Sequence, residues 1–199
     1  MFPTGSFGRM ESELWHREHK KGTDIPITVG ILIADCRRRF CKENIINQLE
    51  QLDKKSGPLI DFYIPGYCKT SEVDEYNIDT FRFRSKNYSF SVDYFYEFMD
   101  ELEIRGIKVT GRTQFLLVPY ECNKLLFEQA ICFDLENDEN KNKIESTKLF
   151  FDFVFGISRE TTEFETFNKR IAQERASTWF ISFLKEKLPD TILALISRQ

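Results

Sequence analysis

Apolar positions gather in three runs, each stopped by a polar or turn residue: Ile27 to Ala34 before Asp35, Leu59 to Ile64 before Pro65-Gly66-Tyr67, and Phe115 to Val118 before Pro119-Tyr120-Glu121. Runs of Val, Ile, Leu and Phe without strict alternation are what strands covered on both faces require, and they predict buried parallel strands. Helical spacing lies between them, as crossover connections demand. The pattern predicts an α/β fold with a parallel or mixed sheet of about four or five strands, crossover helices, and a helical C-terminal part. Ligands of such sheets sit beyond the carboxyl ends of the strands, which makes Asp35, Tyr67 and Glu121 candidate site residues.

Between the first two runs, Ile45, Ile46, Leu49 and Leu52 form one stripe at helical spacing across Cys41 to Lys54, and Ser56-Gly57-Pro58 ends it. Residues 68–90 are polar and acidic with short alternating pieces at Thr80 to Arg84 and Tyr88 to Phe90, the pattern of an excursion carrying an edge hairpin. Ser91 is placed to cap a helix in which Val92, Phe95, Met99 and Leu102 recur at three and four residues, with Gly106 closing it. Ala130 to Leu135 reads as a further strand, and the charged tract Glu136 to Lys143 as a loop.

The ends of the chain read differently. Residues 1–24 look like an arm, with Phe2, Phe7, Leu14 and Trp15 as the side chains able to dock on a partner or a second copy. Residues 25–135 form the α/β domain, and residues 136–199 a helical part packed on the same core. In the latter, Leu149 to Ile157 leaves only Asp152 and Gly156 outside the large apolar set, which requires other protein around it. Phe164, Phe167 and Ile171, then Trp179, Phe180, Phe183, Leu184 and Leu188, give amphipathic helices able to close over it, and Asp190 is placed to cap a last short helix.

Composition narrows the classes. With 199 residues the chain is long enough to be stable without metals or disulfides. Its 20 phenylalanines exceed ordinary usage and supply either an aromatic core or a surface patch for a partner. A net charge of −4 argues against general binding to nucleic acid or anionic membranes. Five cysteines with no CxxC leave one unpaired in any pairing, which fits a reducing, cytoplasmic setting. Neither a signal peptide nor a membrane span is expected, and the Asn87-Tyr88-Ser89 sequon then meets no glycosylation machinery.

No catalytic signature emerges. Neither GxGxxG nor GxxxxGK[ST] is present, so no glycine-rich phosphate cradle is available. Arg37, Arg38 and Arg39, following Asp35 and Cys36, are the candidate anion contacts. Cys36 beside Arg37 is the best placed thiol, but Lys42 and not Arg stands six residues later, as a phosphatase-type loop would require. His16 and His19 sit in the expected arm, without a second cluster of ligands. Asp61 interrupts an apolar run, and is either a wetter edge position or a carboxylate facing a crevice. Nothing here implies a metal or cofactor.

Ser56-Gly57, Ile60-Asp61-Phe62-Tyr63 with Pro65-Gly66-Tyr67, Thr110-Gly111 before Phe115 to Val118, and Glu128 to Glu136 together resemble a group of small uncharacterised bacterial α/β proteins, some of them from defence-type gene neighbourhoods. The resemblance covers roughly residues 27–156 and rests on turns and strands. It implies a bacterial cytosolic protein, a component of a larger system, and carries no active site. The expected function is therefore a non-enzymatic interaction or sensor subunit, associating with a protein partner or with itself through aromatic surface. The competing readings are an enzyme or nucleotide or small-anion binder using the strand-end crevice, with Asp35 and Glu121 as acid/base or metal carboxylates and Tyr67 as a wall, and local nucleic-acid contact through Arg37 to Arg39 with Arg82, Arg84 and Lys86.

Overall fold

The computed structural model describes residues 2–20, 28–56, 60–70, 80–140 and 147–160, with 166, 169–171 and 173. The helices expected beyond residue 173, and most of the stretch from 161, lie outside the described residues, as does the junction at 57–59.

The apolar runs become strands of one mixed sheet. β1 (Phe2–Thr4), β3 (Ile60–Pro65), β2 (Thr28–Ile33) and β7 (Gln114–Glu121) lie side by side in that order. The outer edge of β7 carries β9 (Ile131–Asp134) at one end and β8 (Lys124–Leu125) at the other. β2 and β3 are parallel, joined by the expected crossover, which is broken into α2 (Arg39–Asn44), a 3-10 turn over Ile46–Gln48 and α3 (Leu49–Ser56). The predicted stripe survives the break, since Ile45, Leu49 and Leu52 are all buried.

One direction differs from expectation. β7 runs antiparallel to β2, with Thr28 opposite Pro119 and Ile33 opposite Gln114. A buried strand is apolar on both faces whichever way it points, so its composition carries no arrow.

Residues paired across neighbouring strands share a face. Asp61, Val29 and Val118 therefore lie on one side with Tyr63 and Tyr120, and Phe62, Gly30, Leu117 and Phe115 on the other. The second face is covered by α6 (Thr147–Glu160), where Phe155 stacks on Phe62 with ring centroids 5.7 Å apart and Phe151 meets Phe115 edge-on at 5.1 Å. Gly30 leaves room for the Phe62 and Phe115 side chains beside it, because a Cβ there would stand 2.7 Å from that of Phe62 and 2.9 Å from the Phe115 ring. Lys55 of α3 pairs with Asp152 of α6, which accounts for the polar residue in the apolar stretch. Leu149 and Phe153 face outward, so α6 is amphipathic where full enclosure was expected.

The first face is covered by the segment expected to be an arm. β1 pairs with β3, and α1 (Phe7–His19), capped by Ser6, buries Phe7, Met10 and Leu14. Its stripe at three and four residues is short and set among charges, which disguises it as solvated chain. α4 (Val92–Ile104) packs beside it through Phe98 against Phe7 at 5.2 Å. Ser91 caps α4 as expected, and Gly106 at φ +82° ends it in a Schellman turn, with Gly106 N–H donating to Glu103 and Ile107 N–H to Leu102.

Residues between β3 and α4 form the expected excursion as a second sheet in the order β4 (Tyr67–Lys69), β6 (Lys86–Phe90), β5 (Thr80–Phe83). The β5–β6 hairpin turns through Arg84 and Ser85, both at positive φ, and Arg84 clamps it to α3 by two 2.7 Å bonds to Asp53. The tract expected as a loop after Leu135 instead begins as α5 (Leu135–Asn140), with Asp138 buried.

Candidate functional site

Among the described residues the strand-end crevice is closed. Asp35 and Tyr67 lie beyond the carboxyl ends of β2 and β3, but Glu121, at the end of the antiparallel β7, is exposed at the opposite end of the sheet, across from Lys124. Tyr67 is fully buried, and its hydroxyl donates to the Ala34 carbonyl at 2.8 Å while its ring packs edge-on against Phe81. The small sheet thus seals the end where a ligand was expected, and Tyr67 serves as its plug.

The three arginines are each engaged within the chain. Arg37 forks onto Asp35 through Nε and Nη2 at 2.9 and 2.6 Å, and its backbone N–H donates to the same carboxylate at 2.9 Å. Burial pushes the Asp35 carboxyl up, but the Arg37 guanidinium and amide outweigh it and hold Asp35 below the ordinary carboxylate range. Arg38 bridges Glu136 at 2.8 Å and the Gly111 carbonyl at 3.0 Å, and Arg39 pairs with Glu43 one turn along α2. The arrangement fastens a turn to its surroundings. With Arg84 held by Asp53, the second basic group offered for nucleic acid is likewise engaged in part.

Thiol chemistry also loses its setting. Cys36, Cys41 and Cys68 are buried and form no disulfide, and burial first of all pushes the Cys41 thiol far above its ordinary value. Among the described residues no three His, Cys, Asp or Glu side chains gather as a metal would require. His16 and His19 each direct Nδ1 at a carbonyl one turn back, Ser12 at 2.7 Å and Trp15 at 2.8 Å, so that nitrogen is the donor in both rings.

Asp61 is buried where a wetter position or a crevice carboxylate was expected. β1 pairs with β3 from Tyr63 to Pro65, so Asp61 lies past its end, and there Asp61 pairs with Arg17 of α1. Glu18 accepts from the Tyr120 hydroxyl at 2.8 Å, so two polar links pin α1 across the sheet. Burial holds the nearby Glu13 carboxyl above its ordinary value of 4.5, against the pull of Arg9 and Arg17. The folded chain thus favours neutral Glu13, and the stability this gives is present below about pH 4.5 and lost as pH rises through the raised value. Glu13→Gln is expected to gain stability relative to the parent between about pH 4 and about pH 7, read from urea midpoints. A gap that narrows towards neutral pH would contradict this.

One opening lies beside these links. An open groove of about 680 Å³ runs between α1, the end of α4 and the β7–β8 hairpin. Leu14, Tyr120 and Phe127, all buried, form its floor, and Trp15, half exposed, stands at its side. One indole face stacks on His19 at 4.2 Å. Arg105 forms another wall, its guanidinium 3.9 Å above Phe7 and bonded to Glu101. The hairpin reaches the groove through a two-residue turn at Cys122 and Asn123, both at positive φ.

Of the residues expected to meet a partner, Trp15 stands exposed at the side of the groove and Leu14 lies buried in its floor. Phe7 and Leu14 belong to the core, and the Phe2 side chain lies outside the described ones. Tyr120, Arg105, Phe127 and Lys124 went unnoticed in the sequence, since they meet Trp15 only through folding. The fold and groove define a mixed α/β protein with an apolar-floored, polar-rimmed surface groove. Comparison with family models, curated proteins and solved structures finds no match. No helix among the described residues is long and apolar enough to cross a membrane.

Proposed function

We propose that this chain is a non-enzymatic interaction subunit that seats a segment of a protein partner in the groove beside Trp15. The observation that carries the reading is a half-exposed tryptophan standing over a floor of buried Leu14, Tyr120 and Phe127. An apolar centre with a charged rim is the anatomy of a protein contact, and tryptophan is prominent among residues that dominate such contacts. The polar links from Arg17 and Glu18 hold α1 in place, so the groove exists before a partner arrives and little ordering is needed on binding. The rival crevice reading has no comparable opening among the described residues, its arginines and tyrosine being engaged within the fold.

The resemblance described above favours a partner in a bacterial multi-protein system, and buried cysteines that form no disulfide support a cytoplasmic setting. The test is co-purification from the native host with stoichiometry measured by native mass spectrometry, for the parent and for Trp15→Ala. A protein retained by the parent and bound at least roughly tenfold less by the variant, at unchanged melting temperature, supports the reading. Equal retention by both overturns it. If the retained species is another copy of this chain, the groove is a self-association surface instead.

A further inference from the structure

The charges around the groove are unevenly satisfied. Of the two cations among its lining residues, Arg105 is bonded to Glu101 with its guanidinium 3.9 Å from the Phe7 ring centroid, while Lys124 forms no ion pair among the described residues but has the opposite charge of Glu121 directly across the β7–β8 ladder. Glu11 on α1 and Glu128 after the hairpin are exposed, line the groove, and have no ion-pair partner among the described residues. Two uncompensated carboxylates therefore border an apolar floor, beside an indole ring that is half exposed.

We infer that the segment seated here carries an arginine or lysine next to an apolar side chain. The inference rests on the groove being the interaction surface proposed above. A long basic side chain matches both parts of the site at once: its aliphatic stem lies along apolar surface while its charged head stays at the wetter rim. Trp15 and Leu125 offer that surface, and Glu11 and Glu128 offer the rim. A cation near Trp15 gains further from the face of the indole, where guanidinium groups are favoured. The same geometry disfavours an acidic segment, which would set like charges against Glu11 and Glu128. The apolar neighbour fills the remaining floor and excludes water from the contact.

Selection of a random displayed peptide library against the full chain tests this, with binders then measured by fluorescence polarisation against the parent, Trp15→Ala, and the double variant Glu11→Gln, Glu128→Gln. All three positions are exposed, so melting temperatures should coincide, and a variant that melts lower is replaced by Trp15→Phe or by the single Gln variants. Enriched peptides bearing Arg or Lys beside an apolar residue, weakened roughly tenfold by the double variant, support the inference. Enriched peptides that lack basic residues and depend on Trp15 but not on the two glutamates overturn it, and leave the groove as an interaction surface. Peptides indifferent to Trp15, or no enrichment at all, overturn both.

Discussion

Gly66→Ala is expected to lower stability by about 2–5 kcal/mol, combining about 1–2 for the left-handed backbone with about 1–3 for overpacking. Gly66 sits at φ +81° in the turn where the chain leaves β3 for the second sheet, and its carbonyl accepts from Ser91 N–H at 2.8 Å. A Cβ there would stand 2.7 Å from that of Phe95 and 2.9 Å from the Phe90 ring. Neither neighbour can retreat easily, since both are buried. Gly106 supplies the comparison: at φ +82° it has the same backbone strain, yet a Cβ would meet nothing within 4 Å. Gly106→Ala is therefore expected to lose only about 1–2 kcal/mol. Urea denaturation of both variants separates strain from crowding. Equal losses would mean that the turn around Gly66 yields, and that the packing of Phe90 and Phe95 on it is not a fixed feature.

Phe151→Ala is the second large effect, about 3–5 kcal/mol. Its ring is fully buried and lies within 5.1–5.6 Å, centroid to centroid, of Phe115, Phe150 and Phe155. Truncation opens a void among aromatic rings that cannot collapse into it, so the loss should fall near the upper part of the range for such changes. For a domain with total stability of about 5–15 kcal/mol this is a large share, and the melting temperature should fall on the order of 10 °C. Phe153→Ala, at a position 37% exposed on the same helix, is the control and should change little. Calorimetry that showed equal losses at 151 and 153 would contradict the side of α6 assigned here to the sheet.

The sequence revealed what depends on local composition. Runs at 27–34, 59–64 and 115–118 are legible as strands because two covered faces leave no room for polar residues. The cap at Ser91 and the stop at Gly106 are legible because they serve backbone groups a few residues away. What stayed hidden depends on partners far along the chain. Asp61 looks like a flaw in its run until Arg17, 44 residues earlier, is beside it. Arg38 looks free until Glu136 arrives from 98 residues later, whereas the pairing of Arg39 with Glu43 follows from helical spacing. The groove is the extreme case, assembled from α1, the end of α4 and the hairpin, and betrayed beforehand only by Leu14 and Trp15. The reversed β7 decided the rest, since it carried Glu121 away from Asp35 and Tyr67.

That reversal has a practical corollary for labelling. Cys122 is exposed in the β7–β8 turn, while Cys36, Cys41 and Cys68 are enclosed. A thiol-reactive dye will therefore settle first in that turn, whose Asn123 and Lys124 border the groove, where it can report arrivals by its emission. The Arg39 end lies beyond the far tips of the strands, about 20 Å away along β2 at the usual rise per residue, so the molecule can be tethered there for single-molecule recording with its reporting end left facing the solution.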